Sequence, residues 1–352
     1  MFTKGIRVHK GFLVIGAGAL GLASAEALLL QGETVTVLEQ SAVGQESSWA
    51  GGGILSPLCP WDYPEVVTRL ASHGAGLFGA WAEKLHLATG IDPEYQVSGM
   101  LVLPPFDLQV AQRWCADHGV SSAPTDGGLL LPDVAQARNP RLLQSLRARV
   151  EQLGARIIEN CAVQKIQVEH NQVSKLLTSQ GEFSAENYVV SAGAWSKQLL
   201  GEQAIQLGIK PIRGQMLLFK FDAPPLPHIV LQAGLYLIPR RDGHLLVGST
   251  LEDVGFDKST TAEAREMLLQ RAVAILPALR DMPLVKHWAG LRPGSPENIP
   301  TIGRHPHLEN LYINSGHFRY GVTMAPASVE VLLNEINGTS QPFDVTPYQW
   351  RV

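Results

Sequence analysis

The chain has 352 residues, 45% hydrophobic and 17% charged, which excludes a disordered chain and gives enough apolar material for two domains or one elaborate one. Its 28 Lys and Arg against 32 Asp and Glu leave a net charge of −4, without the cationic excess a nucleic-acid partner needs. Cys59, Cys115 and Cys161 stand far apart with no CxxC, which argues against a disulfide framework or a metal site and for a reducing, cytoplasmic setting.

The basic start MFTKGIRVHK runs into a glycine motif without a cleavage site, so no secretory signal is expected. No stretch approaches the ~18 apolar residues of a membrane span, so no membrane partner is expected either. Phe12 to Ile15 reads as a buried parallel strand, Leu20 to Gln31 as a helix and Thr34 to Leu38 as a second parallel strand ending on Glu39. Between the first strand and the helix lies Gly16-Ala-Gly18-Ala19-Leu20-Gly21. Gly16 permits a tight turn, Gly18 lets backbone amides approach a pyrophosphate, and Gly21 lets helix and strand pack closely. The acid follows at the spacing of a ribose-binding residue. This βαβ unit indicates an ADP moiety, and by itself leaves NAD and FAD open. Ser47-Ser48-Trp-Ala-Gly51-Gly52-Gly53-Ile54 is a second glycine cluster, either a flexible hinge or a segment that passes beside a flavin.

Residues 64 to 89, 106 to 119 and 139 to 153 have helical spacing. Strands are predicted at 155–159, 163–168 and 173–178, with turns at Asn171 and Gly181, and another from Glu186 breaks into the small residues of Ser191-Ala192-Gly193. Read alone, that last segment is a strand-to-helix turn. Residues 215–221, 235–240 and 244–248 read as strands of a separate, largely antiparallel sheet, and Thr261 to Leu276 as a helix. Tyr312 and Ile313 read as a final strand, followed by Ser315 to Gly321 (SGHFRYG) and a helix from Gly321 to Asn334.

GAGALG with Glu39, SSWAGGGILSP, VVSAGAWS, PIRGQM, YLIPRRDGHLLVGST, WAGLRPGSPENIPTIGRHP and SGHFRYGVTMAP occur in order from residue 12 to 337. Together they resemble the FAD-dependent amine oxidases of the D-amino-acid oxidase family. The resemblance implies an α/β (α+β) fold in which a Rossmann-like FAD-binding domain of the glutathione-reductase type is interleaved with an antiparallel-sheet substrate domain. The first comprises residues 1–90, 140–210 and 290–340, the second 91–139 and 211–289, and 341–352 form a tail. It also implies non-covalent FAD and oxidative deamination of glycine, sarcosine or small D-amino acids. In that reaction a hydride passes from Cα to flavin N5, and oxygen is then reduced to hydrogen peroxide. A place in thiamine thiazole biosynthesis and a homo-oligomer, possibly a tetramer, are implied as well.

By the same resemblance Arg292, in GLRP, grips the substrate carboxylate, Tyr236 places a hydroxyl near it, and Arg319 faces the substrate or gates the way in. Without the motif, Arg292 reads first as half of a structural ion pair at a strand end, and Tyr236 equally as a core tyrosine. FAD contacts carry over to Gly16, Gly18, Ala19, Leu20 and Gly21 at the pyrophosphate, Glu39 and Gln40 at the ribose, and Ser47, Ser48, Gly52, Gly53 and Ile54 beside the ring. Val163 matches a residue whose backbone meets the adenine. Ala192, Gly193 and the run His317, Phe318, Arg319, Tyr320, Gly321, Val322 and Thr323 complete the set, with His317 read as a hydrogen-bonding residue on the cofactor side rather than a base. The helix from Gly321 aims its positive end at the flavin pyrimidine. Ile54 and Leu251 stand near the substrate or ring where relatives often carry methionine, and Tyr320 stands where a smaller polar residue is common. Three rivals remain: a flavin dehydrogenase that passes electrons to a quinone, a protein that holds FAD without catalysis, and, more remotely, an NAD-dependent dehydrogenase.

Overall fold

Phe12, Leu13, Val14 and Ile15 are all buried because the strand Arg7–Ile15 lies inside a sheet and is covered on both faces. It pairs in parallel with Val35–Leu38 on one side and with Gly181–Val190 on the other. The structure is a computed structural model describing residues 7–351, so the first six residues of the basic N-terminal stretch and Val352 lie outside the described residues. The sheet continues in parallel to Arg156–Ile158 beyond Val35–Leu38 and to Leu311–Ser315 beyond Gly181–Val190, and Thr301–Arg304 closes that edge antiparallel. Val163–Glu169 and Gln172–Thr178 form an antiparallel meander attached to Gly181–Val190. The helices Ala19–Leu30 and Asn139–Gln152 lead into the two parallel strands that follow them.

A second eight-stranded sheet runs in the order Lys286–Gly294, Lys210–Lys220, His244–Gly248, Leu235–Pro239, Ile229–Gln232, Met100–Leu103, Gly128–Leu131, Ala123–Thr125. All its pairings are antiparallel except Ile229–Gln232 with Met100–Leu103. The expected class, a Rossmann-like sheet beside a largely antiparallel one, is what the chain adopts. One boundary differs: Lys286–Gly294 lies whole in the second sheet, so a division at residue 290 cuts a strand that is hydrogen-bonded along its length to Lys210–Lys220.

The helices Glu65–Thr89 and Gly321–Asn337 cross closely at Gly74, where a Cβ would sit 2.3 Å from the Thr323 carbonyl oxygen. Packing at that point fixes the start of the C-terminal helix against the first sheet. Among the described residues no helix is long and apolar enough to cross a membrane, and no group of His, Cys, Asp and Glu could hold a metal ion.

Candidate active site

The glycine turn divides its labour. Gly16 has φ +105°, and a Cβ there would lie 2.4 Å from the Ser191 carbonyl oxygen; a Cβ on Gly21 would lie 1.9 Å from the Gly16 oxygen. These two are glycine because the chain packs on itself. A Cβ on Gly18 would meet only Ser48 Oγ, at 3.1 Å, so the space above it belongs to a cavity. Gly18 precedes the helix Ala19–Leu30 without a side-chain cap, and the Ala19 amide donates to Ser48 Oγ at 3.0 Å. The amides of such an uncapped first turn are suited to a phosphate.

The cavity, about 650 Å³, extends from this turn between the two sheets. Gly16, Gly18, Leu20, Glu39, Gln40, Ser47, Ser48, Gly52, Gly53, Ile54, Val163, Ala192 and Gly193 line it, as do Tyr236, Arg292 and the whole run from His317 to Thr323. Ala19 and Gly21 shape the turn without lining the cavity. Leu251 does not line it either: it is 53% exposed, and Ser249 is the cavity residue in that segment. Glu39, buried, accepts from the Ala17 amide at 2.7 Å and from the Ser41 amide at 3.1 Å, so the acid also braces the turn it faces.

Ser47–Ala50 is a single helical turn, and the glycines after it are a tight packing seam rather than a hinge. A Cβ on Gly52 would lie 2.5 Å from Ile238 Cδ1, and one on Gly53, at φ +73°, would lie 2.1 Å from the Ala137 oxygen. The Gly52 carbonyl accepts from Arg240 Nη2 at 2.7 Å, and Nη1 of that buried arginine donates to Gln136 Oε1 at 2.7 Å and to the Ala137 oxygen at 3.0 Å. Burial lowers the Arg240 pKa to about 10, which leaves it a cation at neutral pH. Sequence reasoning missed this clamp.

Arg292 Nη2 donates to Ser249 Oγ at 2.6 Å and Nη1 to the Thr250 oxygen at 3.2 Å. The guanidinium lies on Gly214, where a Cβ would sit 2.0 Å from Nη1. No carboxylate among the described residues pairs with it, so the ion-pair reading of Arg292 fails. Burial holds its pKa below the usual arginine value, opposed by the adjacent Tyr236 and reinforced by the charge of Arg319. Tyr236 is buried yet lines the cavity, with its hydroxyl 3.9 Å from Met216 Sδ. The Phe318 amide donates to the Pro293 oxygen at 3.1 Å and so ties SGHFRYG to the strand that carries Arg292. Arg319 lies 5.9 Å from the Phe318 ring centroid.

Tyr320 is buried, its ring edge-on to Tyr63 at 5.2 Å and its hydroxyl accepting from the Leu58 amide at 3.5 Å. His317 is buried and bonded through Nε2 to Ser328 Oγ at 2.9 Å, and burial lowers its pKa to about 3. Gly321–Asn337 begins at the cavity wall with no side-chain cap, and Thr323 Oγ1 donates to the Ile54 oxygen at 3.1 Å.

Among the described residues, three buried polar atoms on the cavity lining have no hydrogen-bond partner: Ser191 Oγ, Asn139 Oδ1 and Asn314 Oδ1. Buried polar atoms are rarely left so, and a Cβ on Gly193 would meet nothing within 4 Å. Both features fit a bound dinucleotide with hydroxyls, phosphates and a flat polar ring. Asn139, Trp195, Gln198 and Asn314, which line the cavity, were missed. The only signal for Trp195 and Gln198 is their place just after the Ser191-Ala-Gly193 turn.

A family described as FAD dependent oxidoreductase, DAO, matches residues 12–334. The chain is 42% identical to a glycine oxidase of Pseudomonas aeruginosa over 353 residues, covering 96% of this chain and 97% of that one. It is 34% identical over 346 residues to the bifunctional protein ThiO/ThiG of Synechocystis, covering 91% of this chain and 50% of that protein. Its fold matches the crystal structure of glycine oxidase from Geobacillus kaustophilus with TM-score 0.91 at 24% identity, covering 97% and 99% of the two chains. The chain therefore belongs to the DAO family of FAD dependent oxidoreductases, and FAD is its cofactor.

Proposed function

We propose that this chain oxidises glycine, and with it sarcosine or small D-amino acids, to the corresponding 2-oxo acid, with release of ammonia or amine and reduction of oxygen to hydrogen peroxide. The coarser statement, an FAD-dependent amino-acid oxidase like glycine oxidase, is supported by the 42% identity along nearly the whole chain. The observation that carries the finer one is Arg292, a cation without a carboxylate partner, held by Ser249 and Thr250 and backed by Gly214 at the cavity wall. A guanidinium so fixed pairs with a carboxylate through two parallel bonds and sets the direction of the Cα–H bond.

FAD supplies the two-electron acceptor when bound. Gly16, Gly18 and Ser48 would hold its pyrophosphate, Glu39 and Gln40 its ribose, and the seam from Gly52 to Ile54 its ring side. With the strand Lys286–Gly294 given whole to the second sheet, residues 1–90, 140–210 and 295–340 would form the FAD-binding domain, and 91–139 and 211–294 would supply the substrate wall. The positive end of the helix Gly321–Asn337 favours negative charge at the wall it meets. His317, neutral and bonded to Ser328, is not placed to collect a proton, so the amine enters neutral and its proton leaves to water. The likeness to ThiO/ThiG supports a place in thiamine thiazole biosynthesis, and a homo-oligomer is proposed on the resemblance alone.

Anaerobic titration of the holoenzyme with glycine, sarcosine, D-alanine and D-proline tests this reading. Bleaching of the flavin by glycine, followed by stoichiometric peroxide on admission of oxygen, is the expected result. Bleaching without peroxide would favour electron transfer to a quinone, and a spectrum unmoved by every amino acid would favour a protein that holds FAD without catalysis.

A further inference from the structure

We infer that Arg240, buried inside the cavity wall, is a fixed positive charge that raises the two-electron midpoint potential of the bound flavin. The inference rests on the reading of Gly52 to Ile54 as the seam beside the flavin ring. It goes beyond that reading, because a clamp on the seam needs hydrogen-bond donors and does not need a charge. Arg240 Nη1 and Nη2 donate to the Gly52 and Ala137 carbonyls and to Gln136 Oε1, and all of these acceptors are neutral oxygens. Its Nε, also buried, has no hydrogen-bond partner among the described residues.

A cation inside a wall is costly unless an anion stands against it. Among the described residues no carboxylate pairs with Arg240. The acids whose charge it feels, Glu94 and Asp242, are engaged by Arg138 at 3.1 and 3.0 Å, with Arg141 also on Glu94 and His244 on Asp242. Asp242 stands towards solvent at 42% exposure, whereas Arg240 Nη2 reaches inward to the carbonyl of Gly52, a residue that lines the cavity. The group is therefore negative on its outer side and positive on the side that meets the seam.

Reduction changes the charge on the cofactor. A hydride carries two electrons and one proton to the ring, which gains one unit of negative charge, while the second proton of the oxidation leaves the amine for water. A cation held nearby in both states favours the reduced one, and inside a poorly solvated wall salt screens it little. A cation that lines the cavity, such as Arg292, is open to an anionic ligand that offsets it. Arg240 is 4% exposed and does not line the cavity, so no ligand bound there reaches it and its charge is constant through a turnover.

Variants separate the charge from the clamp. Arg240→Gln removes both, and Arg240→Lys keeps the charge but loses the forked geometry. Gln136→Glu keeps the clamp and sets a carboxylate against the guanidinium: Gln136 is buried, its Oε1 accepts from Nη1 at 2.7 Å, and the bond it gives up is that from Nε2 to the Pro239 oxygen at 3.1 Å. Midpoint potentials of the holoenzymes are measured by slow chemical reduction against a reference dye, so no amino acid is needed. Arg240→Gln and Gln136→Glu are each expected to lower the ratio of reduced to oxidised flavin at a set potential about tenfold, which is about 30 mV for a two-electron couple. Arg240→Lys is expected to stay near the native value, and the shifts should persist in high salt and with acetate bound. A Gln136→Glu protein at the native potential overturns the inference. So do glutamine and lysine variants that fall alike, because the seam rather than the charge would then set the potential. Where Arg240→Gln does not retain FAD, Gln136→Glu decides alone. If glycine fails to bleach the native flavin while Gln136→Glu still shifts the potential, the oxidase reading falls and the assignment of the charge stands.

Discussion

Arg240 donates through Nη2 to the Gly52 carbonyl at 2.7 Å, so a buried cation from the second sheet holds the glycine seam that forms the cavity's inner wall. Replacing it by leucine leaves the Gly52 and Ala137 carbonyls and the Gln136 amide oxygen without their donor. Each orphaned buried group costs about 1 to 3 kcal/mol, so Arg240→Leu is expected to lose about 3 kcal/mol or more of stability. Urea denaturation of the holoenzyme checks this, together with the rate of FAD release, which should rise. A variant that kept both would show that the seam needs no clamp.

Arg292→Ala is expected to retain FAD, because no predicted FAD contact depends on this side chain. Removing one side of a charge-assisted pair costs roughly 2 to 5 kcal/mol of binding. Affinity for glycine, read from the concentration dependence of anaerobic flavin bleaching, should fall accordingly. Unchanged affinity would place the carboxylate elsewhere.

Tyr320 fills the wall between Leu58 and Tyr63. Its replacement by asparagine opens room beside Arg319, and about one methylene of room is worth 10- to 200-fold in discrimination. The kcat/KM ratio of N-ethylglycine to glycine is therefore expected to rise by about tenfold in Tyr320→Asn. Tyr320→Phe, which keeps the ring, should leave the ratio within about twofold, and a larger change there would mean that the hydroxyl rather than the ring sets the pocket.

His317 gives the stability a pH dependence. Its folded pKa, about 3, lies below the ordinary value of 6.5, so between these values the unfolded chain binds the proton and the folded one does not. The contribution is whole above pH 6.5 and is lost as pH falls towards 3, at up to about 1.4 kcal/mol per pH unit. Unfolding free energies of the native protein and His317→Gln, measured from pH 7 to 4.5, should converge as the pH falls. Parallel curves would show that the histidine takes up its proton equally in the folded and unfolded chains, and that burial does not hold it neutral.

The glycine turn was legible because its spacing is local: Gly21 has no space for a Cβ against the Gly16 oxygen of its own unit, whereas the atom that crowds Gly16, the Ser191 oxygen, comes from a distant strand end. The late motifs around Arg292 and Arg319 were legible only through resemblance, since nothing in GLRP by itself distinguishes an ion pair from a substrate anchor. Pairing between distant segments escaped. Met100–Leu103 and Ile229–Gln232 pair in parallel across more than a hundred residues, and neither strand was assigned. Arg240 escaped for a related reason: it reads as the last residue of the strand 235–240, and only the approach of Gly52 gives its buried guanidinium a partner. Leu251 was placed by analogy at the pocket, but it lies beyond the segment's last cavity residue and faces solvent.

The bare face of Gly214 beneath the Arg292 guanidinium joins the two positions in heredity. A single methyl at 214 would stand 2.0 Å from Nη1 and displace the arginine without altering a cavity residue. A descendant of this chain can therefore gain a side chain at 214 only after its arginine has moved or gone. Drift at an apparently inert backbone position would unseat the proposed carboxylate anchor as surely as loss of the charge itself.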